Sequence, residues 1–472
     1  MKRLFVVPMS LALFLCSFSL HAESLRDVYE LALENDAQLK SEQAVYLARK
    51  ESEVIGRAAL LPQVTGSYTY QDSETDSESQ GPVFTEDQPP TIESSTSERD
   101  TENEGFEVSL SQALFDLPAW FSFRSGREIS REAEAIFASN QQNLVVRVVE
   151  AYLLVLRAQD NLAASQAQER AFERQLEQTQ QRFEVGLIAI TDVYEAQAAR
   201  DLAQVDRIVD ENNRSVALER LSVLTGQRHE NLNVLQEDFG INSPQPLDRA
   251  AWVDFALENN FTLQAARHRE EASRQTAKAN KSEHLPKIVG SYSYSDFDTD
   301  GSSIVRPDSL FNAEDINSNS EDTTWGVRLS MPLFAGGAIS ANRRRSAQEF
   351  NASRQDRINL TRNTVTTTRS LHMTVMSDVS RVKARKQSIV SSRSAQDATQ
   401  AGYEVGTRNV VDVLNAQNTL FSAQRDYANS RYDYILNMMR LKESAGLLSP
   451  EDVILLDNFL EVPKPPTANN TK

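Results

Sequence analysis

The chain has 472 residues, 49 Lys and Arg against 67 Asp and Glu, and a formal net charge of −18. That balance disfavours a basic phosphate-binding face, so no nucleic-acid partner is expected. One Cys and five scattered His (His21, His229, His268, His284, His372) leave no Cys/His zinc spacing and no disulfide framework; neither a metal nor another cofactor is expected.

Lys2 and Arg3 precede an apolar run from Leu4 to Leu20, and His21-Ala22 is followed by polar Glu23-Ser24. Residues 1–22 read as a secretory signal peptide. Cys16 follows Leu15, where a lipoprotein signal needs a small residue, so the mature chain is expected to be thiol-free. No later stretch approaches 18 apolar residues, so any membrane role must fall to β-strands.

A helical pattern runs from Leu25 to Leu60. Two alternating segments follow. In the first, Val64, Gly66, Tyr68 and Tyr70 face away from Thr65, Ser67 and Thr69. In the second, Phe106, Val108, Leu110 and Leu114 face away from Glu107, Ser109 and Ser111. A tract without proline then gives a helix from Ala119 to Glu184, with Val145, Val149, Tyr152 and Leu156 on one face. After a turn at Gly186 comes a helix from Ile190 to Thr225. The plan then repeats. Ala32-Leu33-Glu34-Asn35 recurs as Ala256-Leu257-Glu258-Asn259 and Glu184-Val185-Gly186 as Glu404-Val405-Gly406, so one unit of about 220 residues occurs twice. The second copy predicts a helix over Arg249 to His284, strands around Tyr292 and Trp325, and helices over Ala338 to Glu404 and Val410 to Ala445. The expected divisions are 23–246, 247–446 and a C-terminal segment 447–472 with a flexible end.

Each strand pattern is about ten residues, the length of a tilted transmembrane strand. A half-buried sheet in a soluble domain is the competing reading, but no second apolar layer is available to cover it. Four strands cannot close a barrel, and open edges are not tolerated in lipid. Two chains would give eight strands and a filled interior; three give twelve and a water path. The fold class is therefore mostly α with a transmembrane β-barrel, a homotrimer of twelve strands continuing into twelve helical columns.

The stretches Gln178-Thr179-Gln180-Gln181-Arg182-Phe183-Glu184-Val185-Gly186-Leu187-Ile188-Ala189-Ile190-Thr191-Asp192-Val193 and Tyr403-Glu404-Val405-Gly406-Thr407-Arg408-Asn409-Val410-Val411-Asp412-Val413-Leu414 resemble the TolC family of outer-membrane efflux ducts. The resemblance runs from the signal peptide to about Leu460. It implies a periplasmic tunnel and an equatorial domain built from residues 227–247 and 447–461. It also implies passive export across periplasm and outer membrane, in drug efflux and type I protein secretion. The implied partners are a periplasmic adaptor, an inner-membrane pump of RND, ABC or MFS type, and outer-membrane lipid. By the same resemblance Tyr403 and Arg408 bond to Thr191 and Asp192 to hold the periplasmic entrance shut. Val185, Gly186, Leu187, Val405, Gly406 and Thr407 form the tips that meet the adaptor. The family's second constriction acid is replaced here by Asn415. Asp412, helped by Glu195 at the position equivalent to Asn415 in the first repeat, is expected to make the constriction cation-selective.

A non-conducting, periplasm-spanning coiled-coil tether or adaptor would explain the helices but not the strands. No nucleophile elbow, phosphate loop or metal spacing supports an enzyme. The charge is concentrated: residues 72–105 carry −10 and residues 296–324 carry −7, nearly the whole imbalance. Ser, Gly and Pro in both segments suggest solvated outward loops.

Overall fold

The computed structural model describes residues 22–83, 89, 91–306 and 313–463. Nearly all of the expected signal peptide, with Cys16, lies outside the described residues. So do the loop acids Glu86, Asp87 and Asp308 and the C-terminal end from 464. Two compact units are present. One takes in the described parts of Met1–Ala44, Phe137–Phe261 and Thr361–Lys472; the other takes in Val45–Ile136 and Thr262–Leu360. No helix among the described residues is long and apolar enough to cross a membrane.

In the first unit, Ser24 opens α1 (Leu25–Asn35) with a capping box shared with Asp27, and Leu25, Val28, Tyr29 and Ala32 form its buried stripe. The single helix expected from Leu25 to Leu60 is not found. The chain forms α1, α2 (Ala37–Lys50) and α3 (Ser52–Ala58). Asp36 takes an extended backbone, and its carboxylate accepts the Leu39 N–H at 3.1 Å and the Arg147 guanidinium at 2.6 Å. The second repeat breaks at the equivalent place, Asn260, between α6 (Arg249–Asn259) and α7 (Phe261–Ser282), where the Asn260 amide donates to the Ser444 carbonyl at 3.0 Å. A short polar side chain can compete with the helix for local donors, and a one-residue break leaves the flanking periodicity intact.

The long tracts end as expected. They form α4 (Leu117–Glu184), α5 (Ile190–Thr225), α8 (Ala338–Glu404) and α9 (Val410–Ser444). Residues 137–184 of α4 and 361–404 of α8 belong to the first unit. Its core joins Val145, Val149, Tyr152 and Leu156 of α4 to Leu221, Val375, Ile435 and Leu441. The buried Tyr152 hydroxyl donates to the Asn233 carbonyl at 2.8 Å. The two segments expected to be equatorial meet here: β3 (Val234–Leu235) pairs antiparallel with β6 (Leu460–Glu461), and Phe239 packs edge-on to Phe459. Between them lies α10 (Pro450–Asp457).

The second unit holds one four-stranded antiparallel sheet in the order β1 (Gln63–Val83), β2 (Thr91–Phe115), β4 (Lys287–Arg306), β5 (Ala313–Ser330). The strands are about twice the expected length. They run through most of the segments read as loops, because each hairpin keeps its backbone ladder intact where the side chains have turned polar. The apolar face is as the alternation predicts: Val64, Leu110, Tyr292 and Trp325 stand in one register row.

The register also places the charge. Asp72, Glu74, Asp76 and Glu78 of β1 and Glu98, Asp100, Glu102 and Glu104 of β2 lie on the face that carries Val64 and Leu110. Asp296, Asp298 and Asp300 of β4 and Asp315 and Glu321 of β5 lie on that face too. Only Glu107, Glu314 and Asp322 among the described strand acids with placed side chains face the other way. Tyrosine hydroxyls mark the boundary between apolar and acidic surface: Tyr68 donates to Glu104 at 3.1 Å and Tyr294 to Glu321 at 3.0 Å.

Candidate functional site

Two helical hairpins carry the residues singled out in the sequence. The turn from α4 to α5 pivots on Gly186 at φ 77°, and the turn from α8 to α9 on Gly406 at φ 79°. A residue with a Cβ is strained there, whereas glycine is not. The N–H of Gly186 bonds the Phe183 carbonyl at 2.8 Å and that of Leu187 bonds the Arg182 carbonyl at 2.9 Å. Gly406 bonds Tyr403 at 3.1 Å and Thr407 bonds Gly402 at 2.9 Å. These paired bonds satisfy the last helical carbonyls and close each turn. The Thr407 hydroxyl adds a bond to the Gly402 carbonyl at 3.0 Å. Val185 is 70% exposed, Leu187 72% and Val405 76%, so each turn presents apolar side chains to its surroundings.

Behind the turns the hairpins share a small core of Phe172, Ala203, Tyr403, Val410, Val413 and Leu414. Tyr403 is 3% exposed, and its hydroxyl is buried without a hydrogen-bond partner among the described residues. The Arg182 guanidinium lies over the Tyr403 ring, 4.6 Å from its centre, and donates to the Tyr403 carbonyl at 3.4 Å. Arg408 is exposed and pairs with Asp412 at 3.7 Å. Asn409 caps α9, its side chain accepting the Asp412 N–H at 2.8 Å.

Thr191 and Asp192 stand in the first turn of α5, where a carboxylate is favoured by the helix dipole. Among the described residues neither side chain is bonded to Tyr403 or Arg408. The four-residue set expected from the resemblance is therefore not joined within one chain: Tyr403 is turned into the apolar cluster, and Arg408 is engaged by Asp412. Glu195 and Asn415 are both exposed, and Glu195 has no ion pair among the described residues. Sequence reading overlooked Arg182. Its only local sign was a cation in the last turn of α4, a common helix-end feature.

The outer membrane efflux protein family matches this chain twice, over residues 28–227 and 252–447. The chain is 34% identical to outer membrane protein TolC of Vibrio cholerae serotype O1, covering 98% of this chain and 100% of that protein. It is 31% identical to alkaline protease secretion protein AprF of Pseudomonas aeruginosa, over 97% of this chain and 91% of that one. In fold it resembles CusC, with a TM-score of 0.71 at 16% identity over 90% of this chain and 92% of CusC. The chain belongs to the outer membrane efflux protein family, a family of transport proteins. Its place is the outer membrane and its role is that of an exit duct.

Proposed function

We propose that three copies of this chain form one duct, with a twelve-strand barrel in the outer membrane and a twelve-helix tunnel in the periplasm. The observation that carries this is the four-stranded sheet. It has apolar side chains on one face, Ser and Thr opposite, and outer strands β1 and β5 that each have one neighbour among the described residues. In lipid those edges must be paired. Since β1 and β5 run in opposite directions, β5 of one copy pairs antiparallel with β1 of the next, and twelve strands close into a water-lined barrel. Two family matches in one chain support two repeats of one plan.

The duct works passively, fed by an inner-membrane pump through a periplasmic adaptor that meets the exposed turns at Val185-Gly186-Leu187 and Val405-Gly406-Thr407. Likeness to TolC and to a protease secretion protein supports both drug efflux and type I protein secretion. The gate is formed by Thr191, Asp192, Tyr403 and Arg408, and a ring of Asp412 with Glu195 beside Asn415 selects cations. Support for the gate comes from Thr191 and Asp192, which show no side-chain bond among the described residues, and from Arg408, whose exposed pairing is readily exchanged. The purified protein should migrate as a trimer that collapses on boiling and should conduct in a planar bilayer. A monomer, or a trimer without conductance, defeats the proposal.

A further inference from the structure

We propose that Arg182 is a positioning residue of the closed entrance, clamping Tyr403 by its ring face and its backbone carbonyl rather than by its hydroxyl. The inference rests on the reading that the hairpin turns close the duct. Three structural features carry it. The guanidinium covers the ring at 4.6 Å, and one of its N–H groups donates to the Tyr403 carbonyl at 3.4 Å. Tyr403 also belongs to the buried cluster of Phe172, Ala203, Val413 and Leu414, so the residue has apolar neighbours as well as the cation. The Tyr403 hydroxyl has no partner among the described residues, so it contributes no bond to holding the ring there.

A helix-end arginine ordinarily serves the carbonyls of its own helix. Arg182 ends α4, but the carbonyl it reaches lies in the last turn of α8, 221 residues away. It therefore ties the first hairpin to the end of the second long helix. The repeat shows that this tie is not a generic feature of the turn. At the offset of 220 that aligns Gly186 with Gly406, Arg182 corresponds to Gly402 and Tyr403 to Phe183. Phe183 is 40% exposed, and Gly402 has no side chain to cover it. Among the described residues the clamp is found on Tyr403 and not on Phe183. A cation against an aromatic face, partly shielded from water, favours the closed arrangement by about fivefold per contact.

The test is the resting conductance of the purified duct in a planar bilayer, read on variants that migrate as heat-sensitive trimers. Arg182→Gln and Tyr403→Leu should each raise it at least about fivefold, because every copy in the trimer loses its contact. The double variant should rise no further than the larger single one, because both changes remove one contact. Tyr403→Phe, which keeps the ring, should leak less than Tyr403→Leu. Arg182→Lys should fall between parent and Arg182→Gln, since an ammonium keeps the charge but not the planar fork; it carries the test if Arg182→Gln does not assemble. Parental conductance in the Arg182 variants beside a leaky Arg408→Ala would overturn the role of Arg182 alone. So would additive effects, or Tyr403→Phe leaking as much as Tyr403→Leu. Parental conductance in every variant, Arg408→Ala included, would overturn the location of the gate.

Discussion

Glu102 offers a direct test of the strand register. In β2 it stands between Asp72 of β1 and Asp300 of β4, three carboxylates in one row on one face. Directly opposed residues in a sheet have Cβ atoms about 5 Å apart, and the carboxylates can spread to about 7 Å. Each pair in water then repels by about 0.6 kcal/mol, so Glu102 faces about 1 kcal/mol at low salt. At physiological ionic strength the Debye length of about 8 Å removes more than half of that. Glu102→Gln keeps a carbonyl to accept the Tyr70 hydroxyl bond while removing the charge. It should raise the thermal midpoint of the purified protein at low salt, and the gain should shrink as salt is added. The control is Glu107→Gln. Glu107 lies on the opposite face between Ser67 and Ser295 and has no acid beside it in register, so no comparable gain is expected. A gain that is absent at low salt, or equal at both positions, would refute the register argument.

Asp36→Ala removes the cap of α2 and leaves the part-buried Arg147 without its partner. It should cost about 3 kcal/mol in denaturant unfolding. Burial first of all holds the Asp160 carboxyl above its usual range, where it accepts the Tyr432 hydroxyl at 2.6 Å. The folded state therefore keeps a proton that the unfolded state releases, and stability falls as pH rises through the interval above the ordinary carboxylate value of 3.8. Asp160→Asn should accordingly raise the midpoint at pH 7 and lose that advantage toward pH 4 in a thermal melt. Burial likewise raises the phenols of Tyr152, Tyr432 and Tyr434, so stability should fall once pH passes about 10, followed by tyrosinate absorbance. If Asp412 lines the proposed constriction, Asp412→Asn should lower the ratio of cation to anion permeability in reversal-potential measurements.

The sequence by itself determined whatever depends on neighbours along the chain. The 220-residue repeat, the long helical tracts free of proline, the alternating faces at Tyr68 and Trp325, and the turn glycines Gly186 and Gly406 all follow from spacing and backbone preference. The helix ends agree with the structure within about two residues because proline and glycine set them locally. The tip residues could be named from motif, but not their bonds. Tertiary structure alone decided that Tyr403 turns into an apolar cluster under Arg182, that Asp36 breaks the first helix to meet Arg147, and that Val234 pairs with Glu461. It also turned two acidic stretches read as loops into paired strands with nearly all their charge on one face. These outcomes join residues tens to hundreds of positions apart. Their energies come from burial and from pairings that a linear pattern does not contain.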